Sequence, residues 1–167
     1  AAAQGYPRGL ALVGFCYDRG QGVPKDSSQA RKWWLMAAEK GDAIAQFNIA
    51  LDYYKKKECT QAVTWARKAA EQDYLPGLAF LGYCLDKGEG VPEDRSKAME
   101  LWLKAAGQGD VNAQYYIGNA YYGEGDYTEA AKWMEKAADG GDPDARRFLQ
   151  KHTWIYWGSW CFIIGVL

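Results

Sequence analysis

The chain has 167 residues, a length that suits one compact domain or one short array of repeats. Its 20 basic residues nearly balance its 21 acidic residues, so the composition predicts neither a nucleic-acid partner nor a strongly basic one. Hydrophobic residues make up 49% of the chain and aromatic residues 15%, which is enough for a core and argues against extended disorder.

The chain opens with AAAQG, without a methionine or a signal peptide, and we expect it to be part of a longer protein. Its four cysteines, Cys16, Cys59, Cys84 and Cys161, form no C-x-x-C motif, and His152 is the single histidine. With so few cysteine and histidine side chains, the sequence predicts no zinc site, no other metal and no cofactor. It favours free buried thiols, which suit a reducing compartment such as the cytoplasm.

A repeat organises the sequence. VGFCYDRGQGVPKDSSQARKWWLMAAEKGD, at 13–42, recurs at 81–110 as LGYCLDKGEGVPEDRSKAMELWLKAAGQGD. The shorter IALDYYKKKECTQAVTWARKAAEQD, at 49–73, recurs with the same shift at 117–141 as IGNAYYGEGDYTEAAKWMEKAADGG. The pattern predicts a repeat array over 1–152, made of units at about 5–40, 41–72, 73–108 and 109–140 and a partial unit at 141–152, followed by an apolar tail at 153–167.

Each repeat predicts two helices. In the second helix, small alanines and one large residue recur at offsets of 0, 3, 7 and 8, as in Ala30, Trp33, Ala37 and Ala38, which places them on one buried stripe. Aspartates precede the helices and predict N-caps; they are Asp26, Asp42, Asp110, Asp126 and Asp142. Gly41, Gly109 and Gly141 are expected to end second helices in the left-handed conformation, and Pro143 has the favoured first position of a helix.

The stretch LGYCLDKGEGVPEDRSKAMELWLKAAGQGD resembles the Sel1-like repeat, a branch of the tetratricopeptide-like α/α repeats. The resemblance covers roughly 1–152. The short repeats lack the G-V insertion, and GDYTEAAKWMEKA is more similar to an ordinary tetratricopeptide repeat. AAAQG resembles the end of a second helix, so we expect a further repeat upstream. The resemblance implies an all-α, right-handed superhelical solenoid of helix-turn-helix repeats that binds peptides or proteins and has no chemistry of its own.

The residues offer little for catalysis. His152 lies beside Lys151 at the end of the array, where a solvated or capping role is favoured over a catalytic one. Carboxylates occur as caps or in i, i+4 pairs such as Glu100 with Lys104. The chain also resembles a cysteine-rich bacterial branch of the family, for which a hydrolase activity is an alternative. The paired cysteines of that branch are absent from this sequence.

The resemblance implies a concave binding surface lined by the first helices. Its concave positions lie two residues before, and two, five and six residues after, the Leu of the L-G pair. Carried over, the predicted partner-binding residues are Phe15, Asp18, Arg19, Phe47, Leu51, Tyr54, Lys55, Tyr83, Asp86, Lys87, Tyr115, Asn119 and Tyr122, while Ala11, Ala79 and Gly123 occupy other positions of the same pattern.

Two interpretations of these rings stay open. They anchor an extended peptide or helix, or some of them, Phe15 and Phe47 above all, pack between neighbouring first helices. The hydroxyls of Tyr83, Tyr115 and Tyr122 suit a wet surface. The tryptophans of the second helices are expected mostly in the core. We therefore predict a non-enzymatic scaffold whose partner is a protein or peptide.

The tail WIYWGSWCFIIGVL, at 154–167, has no charge and does not continue the repeat. Fourteen helical residues span about 21 Å, less than the roughly 30 Å of a membrane core. Its stripe of Trp154, Trp157, Cys161 and Ile164 suits an end cap or a self-association contact. A membrane segment, which would make the chain a membrane-associated adaptor, and a sequence foreign to the family are the alternatives.

Overall fold

The computed structural model describes residues 6–152, and every regular element in that range is an α-helix. The helices are α1 Pro7–Arg19, α2 Ser27–Glu39, α3 Ala43–Lys55, α4 Cys59–Ala70, α5 Leu75–Lys87, α6 Arg95–Ala106, α7 Val111–Glu124, α8 Tyr127–Asp139 and α9 Pro143–Lys151. The tail at 153–167, with the predictions that depend on it, lies outside the described residues.

Side-chain caps begin the helices where the sequence predicts them. The Asp42, Asp110 and Asp142 carboxylates each accept a hydrogen bond from the backbone N–H three residues on, at the starts of α3, α7 and α9. Asp26 and Asp126 cap α2 and α8 in the same way. Each carboxylate satisfies an N–H that has no partner within its helix, so the capping predictions are confirmed. The predicted helix-ending glycines Gly41, Gly109 and Gly141 all have positive φ, and Pro143 is the first residue of α9.

The described chain forms two compact units that divide between Ala98 and Met99, within α6. In unit 1, α1 packs on α2, α2 on α3, α3 on α4 and α4 on α5. One core cluster of this unit joins three helices through Leu10, Ala11, Ala37, Ala38, Ala45 and Ile49. In unit 2, α7 packs on α8 and α8 on α9, around Met134, Ala137, Ala138 and Ala145.

The alanine stripe of the second helices is buried, as predicted. Its members are Ala30, Ala37, Ala38, Ala62, Ala69, Ala70, Ala98, Ala105, Ala106, Ala130, Ala137 and Ala138. Of the tryptophans, Trp102 is buried, whereas Trp33, Trp34 and Trp65 are half-buried against the core. The outer faces of Trp65 and Trp133 are covered by Lys68 and Lys136, whose ammonium groups lie 4.0 and 3.9 Å from the ring centroids. The four half-buried tryptophans, Trp33, Trp34, Trp65 and Trp133, therefore lie at the edge of the core.

In α1 and α7, the small residue of the first helix makes room for a large side chain of the second helix. A Cβ added to Gly14 would lie 2.4 Å from Trp34, and one added to Gly118 would lie 3.0 Å from Met134. Trp33, the ring that the sequence pattern places beside the alanines, packs against the core cluster that contains Ala37 and Ala38. The next residue, Trp34, occupies the space beside Gly14.

Candidate partner-binding surface

The first helices α1, α3 and α5 present the predicted binding residues of unit 1, and we call this surface the first-helix face of unit 1. Its members at the predicted positions are Phe15, Asp18, Arg19, Phe47, Leu51, Tyr54, Lys55, Tyr83, Asp86 and Lys87. Arg19, Lys55 and Lys87 are exposed, whereas the others are half-buried. The surface thus combines half-buried rings with three cationic side chains that reach solvent.

An aromatic cluster connects α3 with α5. Tyr54 meets Phe80 edge to face, with 5.3 Å between ring centroids, and Phe80 stacks on Tyr83 at 6.4 Å. Phe47 packs edge to face on Tyr74 and Phe80, at 5.6 and 6.2 Å. Contacts of this geometry stabilise aromatic pairs beyond the burial of their area. Phe47 therefore packs between neighbouring first helices, which is one of its two predicted roles.

Two tyrosines of the predicted site share a hydrogen bond. The Tyr54 and Tyr83 hydroxyl oxygens lie 3.2 Å apart, so one hydroxyl donates to the other. This bond, the burial of the ring and a hydrogen bond to Glu89 raise the pKa of Tyr54 above its usual range. Both rings are half-buried, and the hydrogen bond fixes the position of one hydroxyl relative to the other.

Three cations mark the ends of the first helices in unit 1. Arg19, Lys55 and Lys87 each lie in the last turn of their helix, where the carbonyl ends favour positive charge. Lys87 also forms an ion pair with Asp86, 2.8 Å between Nζ and Oδ2, and this hydrogen bond raises the pKa of Lys87. Arg95 approaches the other Asp86 oxygen at 3.7 Å. The Asp86 charge is thereby compensated twice, and the exposed charges at the ends of these three helices are positive.

Phe15 contacts a different element from the other rings. Its ring meets Trp34 of α2 edge to face at 5.7 Å. Phe15 therefore has a packing contact, as one of its two predicted roles requires. The contact lies within the pair α1–α2, however, and does not connect two first helices. Phe15 does not join the aromatic cluster of α3 and α5 through any ring contact in the described chain.

In unit 2, the predicted residues belong to α7. Asn119 is exposed, whereas Tyr115 is half-buried and packs against the core of that unit together with Val111. The Tyr122 ring contacts Phe148 and His152 at 5.0 and 5.1 Å. Tyr115 and Tyr122 therefore take part in the packing of α7, so their replacement is expected to lower stability as well as any binding.

His152 closes the end of α9. Its Nδ1 lies 2.9 Å from the Phe148 carbonyl oxygen, which can only accept, so Nδ1 is the donor. In the neutral ring Nε2 is then an acceptor for the Tyr122 hydroxyl, 3.1 Å away. The imidazole also stacks on Phe148, with 4.3 Å between centroids. These contacts give His152 the capping role that the sequence favours.

Sequence reasoning did not place Phe80 at the centre of the aromatic cluster. The available signal was that Phe80 and Phe148 occupy equivalent repeat positions in two first helices. It also missed the charge cluster in which Asp52 accepts from Arg31 at 2.6 Å and from Lys56 at 2.9 Å. That contact joins α2 to α3 and shares no atoms with the aromatic cluster.

Metal and thiol chemistry have little support in residues 6–152. No group of three or more His, Cys, Asp and Glu side chains in that range is arranged to hold a metal ion. Cys16, Cys59 and Cys84 are free thiols, and burial raises the pKa of Cys84 to about 12. A thiol with so high a pKa is a poor nucleophile at neutral pH. None of the described helices has the length and apolar character needed to cross a membrane.

Comparison with known proteins agrees with this architecture. The Sel1 repeat family matches residues 7–42, 43–74, 75–110 and 111–142. A sel1-like repeat-containing protein of Acanthamoeba polyphaga mimivirus is 30% identical over 115 residues, covering 69% of this chain and 21% of its own length. The Sel1-repeat-containing protein YjcO of Escherichia coli K12 is 48% identical over 48 residues, which is 29% of this chain and 21% of that protein. The chain thus spans about a fifth of these relatives.

Two solved structures share the fold over 90% of the chain at 34% sequence identity. A protective antigen of uropathogenic Escherichia coli, which displays an SLR fold, matches with a TM-score of 0.78 over 35% of its length. A Sel1 repeat protein from Oxalobacter formigenes matches with a TM-score of 0.79 over 64% of its length. The predicted fold class, an all-α solenoid of helix-turn-helix repeats, is confirmed. Four consecutive matches across residues 7–142 establish that the chain belongs to the Sel1 repeat family.

Proposed function

We propose that this chain is a non-enzymatic scaffold that binds a peptide or helix of a partner protein on the first-helix face of unit 1. Sel1 repeats generally mediate protein–protein interaction, and proteins of this family are typically non-catalytic scaffolds. The chain spans only part of its relatives, so the proposal concerns this array of repeats.

The observation that carries the proposal is the pairing of rings with cations on one face. The Tyr54–Tyr83 pair is held in place by its shared hydrogen bond, and Lys55 and Lys87 are exposed close to them in the sequence. Half-buried tyrosines anchor partners at low entropic cost, while exposed charges at the rim attract and orient them. Because the exposed ends of α1, α3 and α5 are cationic, partner segments that carry acidic residues are favoured.

Lys55→Glu combined with Lys87→Glu tests this site without disturbing the rings. The probe is a phage-displayed library of random dodecapeptides selected on the wild-type chain, with affinities then measured by fluorescence anisotropy. The double variant should weaken the selected peptides about tenfold or more, because two rim attractions become repulsions. Lys32→Glu with Arg67→Glu, exposed positions on α2 and α4, is the matched control and should leave the affinity unchanged. Failure to select any peptide, or equal losses in both double variants, would refute the site.

A further inference from the structure

Glu89 lies beside the tyrosine pair of the first-helix face of unit 1. The Tyr54 hydroxyl, 3.2 Å from the Tyr83 hydroxyl, also forms a hydrogen bond with the Glu89 carboxylate, and this second bond is one cause of the raised pKa of Tyr54. Glu89 is half-buried and belongs to the loop between α5 and α6. Side chains from two helices and one loop therefore meet at the Tyr54 hydroxyl.

The carboxylate determines the direction of this chain of hydrogen bonds. A carboxylate only accepts, so Tyr54 donates its single hydroxyl proton to Glu89. Tyr83 must then donate its own proton to the Tyr54 oxygen. Toward any further group, the Tyr83 oxygen and the Glu89 carboxylate are thus acceptors only. This part of the surface is complementary to hydrogen-bond donors, whereas the lysines at the helix ends favour acidic groups.

The charge of Glu89 has no ion pair within the described part of the chain. The acidic side chains on either side of it, Asp86 and Glu93, both lie against Arg95, at 3.7 and 3.0 Å. Glu89 instead has the neutral Tyr54 hydroxyl as its partner. Because a half-buried carboxylate is partly removed from water, a cation brought by a partner would interact with it more strongly than with a fully solvated acid.

The folding of the loop does not explain a glutamate at this position. Glu89 donates its backbone N–H to the Cys84 carbonyl oxygen at 2.9 Å. In the equivalent loop of the first long repeat, Gln21 donates to the Cys16 carbonyl oxygen at the same distance. A glutamine is thus compatible with the backbone of this loop, and the carboxylate of Glu89 adds a charge that the loop does not need.

We propose that Glu89 determines the specificity of this surface by binding an arginine of the partner segment, while acidic residues of the same segment bind Lys55 and Lys87. The inference rests on the proposed function, because it concerns the same surface. Arginine is the favoured donor because its planar guanidinium carries several N–H groups, enough for the carboxylate and for the Tyr83 oxygen together. The partner segment therefore combines an arginine with acidic residues, whereas the lysines alone would favour a purely acidic segment.

Selection of the random dodecapeptide library in parallel on the wild type and on Glu89→Gln tests this specificity. Arginine should be enriched about threefold or more in the peptides selected on the wild type, and it should not be enriched in those selected on Glu89→Gln. Glu93→Gln is the matched control, because it removes an equal charge from the same loop. This control should keep the arginine enrichment of the wild type.

A double-mutant cycle then tests the contact itself. In a peptide selected on the wild type, replacement of the arginine by glutamine should weaken binding to the wild type about tenfold and binding to Glu89→Gln less than about twofold, as measured by fluorescence anisotropy. A peptide with glutamate in place of the arginine should bind Glu89→Lys more tightly than it binds the wild type, because the charges at the contact are then exchanged.

The outcomes separate this inference from the proposed function. Selected peptides without arginine enrichment, an enrichment that persists on Glu89→Gln, or equal losses in both halves of the cycle would overturn the role of Glu89. The proposed function would stand in each of these cases if Lys55→Glu with Lys87→Glu still weakens the peptides. A library that yields no binding peptide would refute both.

Discussion

In unit 1, α5 contacts α3 through Phe80, whose ring meets Tyr54 at 5.3 Å; in unit 2, α9 contacts α7 through Phe148, whose ring meets Tyr122 at 5.0 Å. The two contacts occupy equivalent repeat positions and share one geometry, since both are edge to face, at 86° and 87°. Their polar partners differ, since Tyr54 bonds Tyr83 and Tyr122 bonds His152. The ring geometry is thus common to both contacts, whereas the hydrogen-bond partner of the tyrosine differs between them.

The end of the helix explains the different polar partner. In α5 the helix continues to Lys87, and Cys84 points into the core with no exposed surface. In α9 the helix ends at Lys151, so His152, which is equivalent to Cys84, leaves the helical conformation at φ −113° and ψ 37°. Its side chain then turns back over Phe148 to the Tyr122 hydroxyl. Because α9 ends one residue before His152, the His152 side chain takes a direction different from that of Cys84, which lies inside α5.

The strongest way to separate the two contacts is to remove their phenylalanines. Phe80→Ala should lower the free energy of unfolding by about 3–4 kcal/mol, because a buried ring leaves a cavity between α3 and α5. Phe148→Ala should cost about 1–2 kcal/mol, because that ring is only half-buried. Urea unfolding followed by circular dichroism measures both, with Phe80→Leu as the milder control. Equal losses would show that the two contacts carry equal weight despite their different burial.

A second comparison concerns a glutamine at equivalent positions. Gln46 Nε2 donates to the Ala38 carbonyl oxygen at 3.2 Å, and its Oε1 accepts from Gln72 at 2.7 Å. In unit 2 the equivalent Gln114 has a buried Oε1 without a partner, and the position equivalent to Gln72 is Gly140. A side chain at 140 would have to avoid Val111, since even a Cβ there would lie 2.5 Å from it.

Methionine substitutions test this difference. Gln46→Met should lower stability by about 1–3 kcal/mol, because it removes two hydrogen bonds and leaves the Ala38 carbonyl without its side-chain donor. Gln114→Met should be neutral or stabilising, because it removes an unpaired buried oxygen. Urea unfolding of the two single variants decides the matter. A loss for Gln114→Met as large as that for Gln46→Met would mean that Gln114 has a partner of equal value.

The smallest expected effect on stability comes from the buried Cys84 thiol, and it appears only at high pH. Burial raises the pKa of Cys84 to about 12 in the folded chain, whereas an unfolded thiol ionises near pH 8.5. Above that value the unfolded state loses its proton while the folded state keeps it, so stability should fall as pH rises from about 9 towards 12. Unfolding midpoints of the wild type and Cys84→Ala, compared between pH 7 and 10, measure this contribution. The two chains should diverge in slope only above about pH 8.5, and parallel curves would contradict the buried thiol.

Much of the local structure follows from the sequence. The caps at Asp42, Asp110 and Asp142 depend on a carboxylate and an amide three residues apart, so no distant contact is needed to predict them. The same holds for the alanine stripe, since the helical period alone puts its members on one side. For the candidate site, the sequence indicated which positions lie on the first helices, but it did not indicate how their rings contact one another.

By itself, the sequence determined the helices, their ends and the Sel1 repeat, because these depend on residues a few positions apart and on a pattern that recurs at a constant shift along the chain. Only the tertiary structure decided that Trp34 fills the space beside Gly14, that Phe80 connects α3 to α5, and that Tyr54 bonds Tyr83. The physical reason is that such contacts depend on how two helices are rotated against each other, which no spacing within one helix specifies.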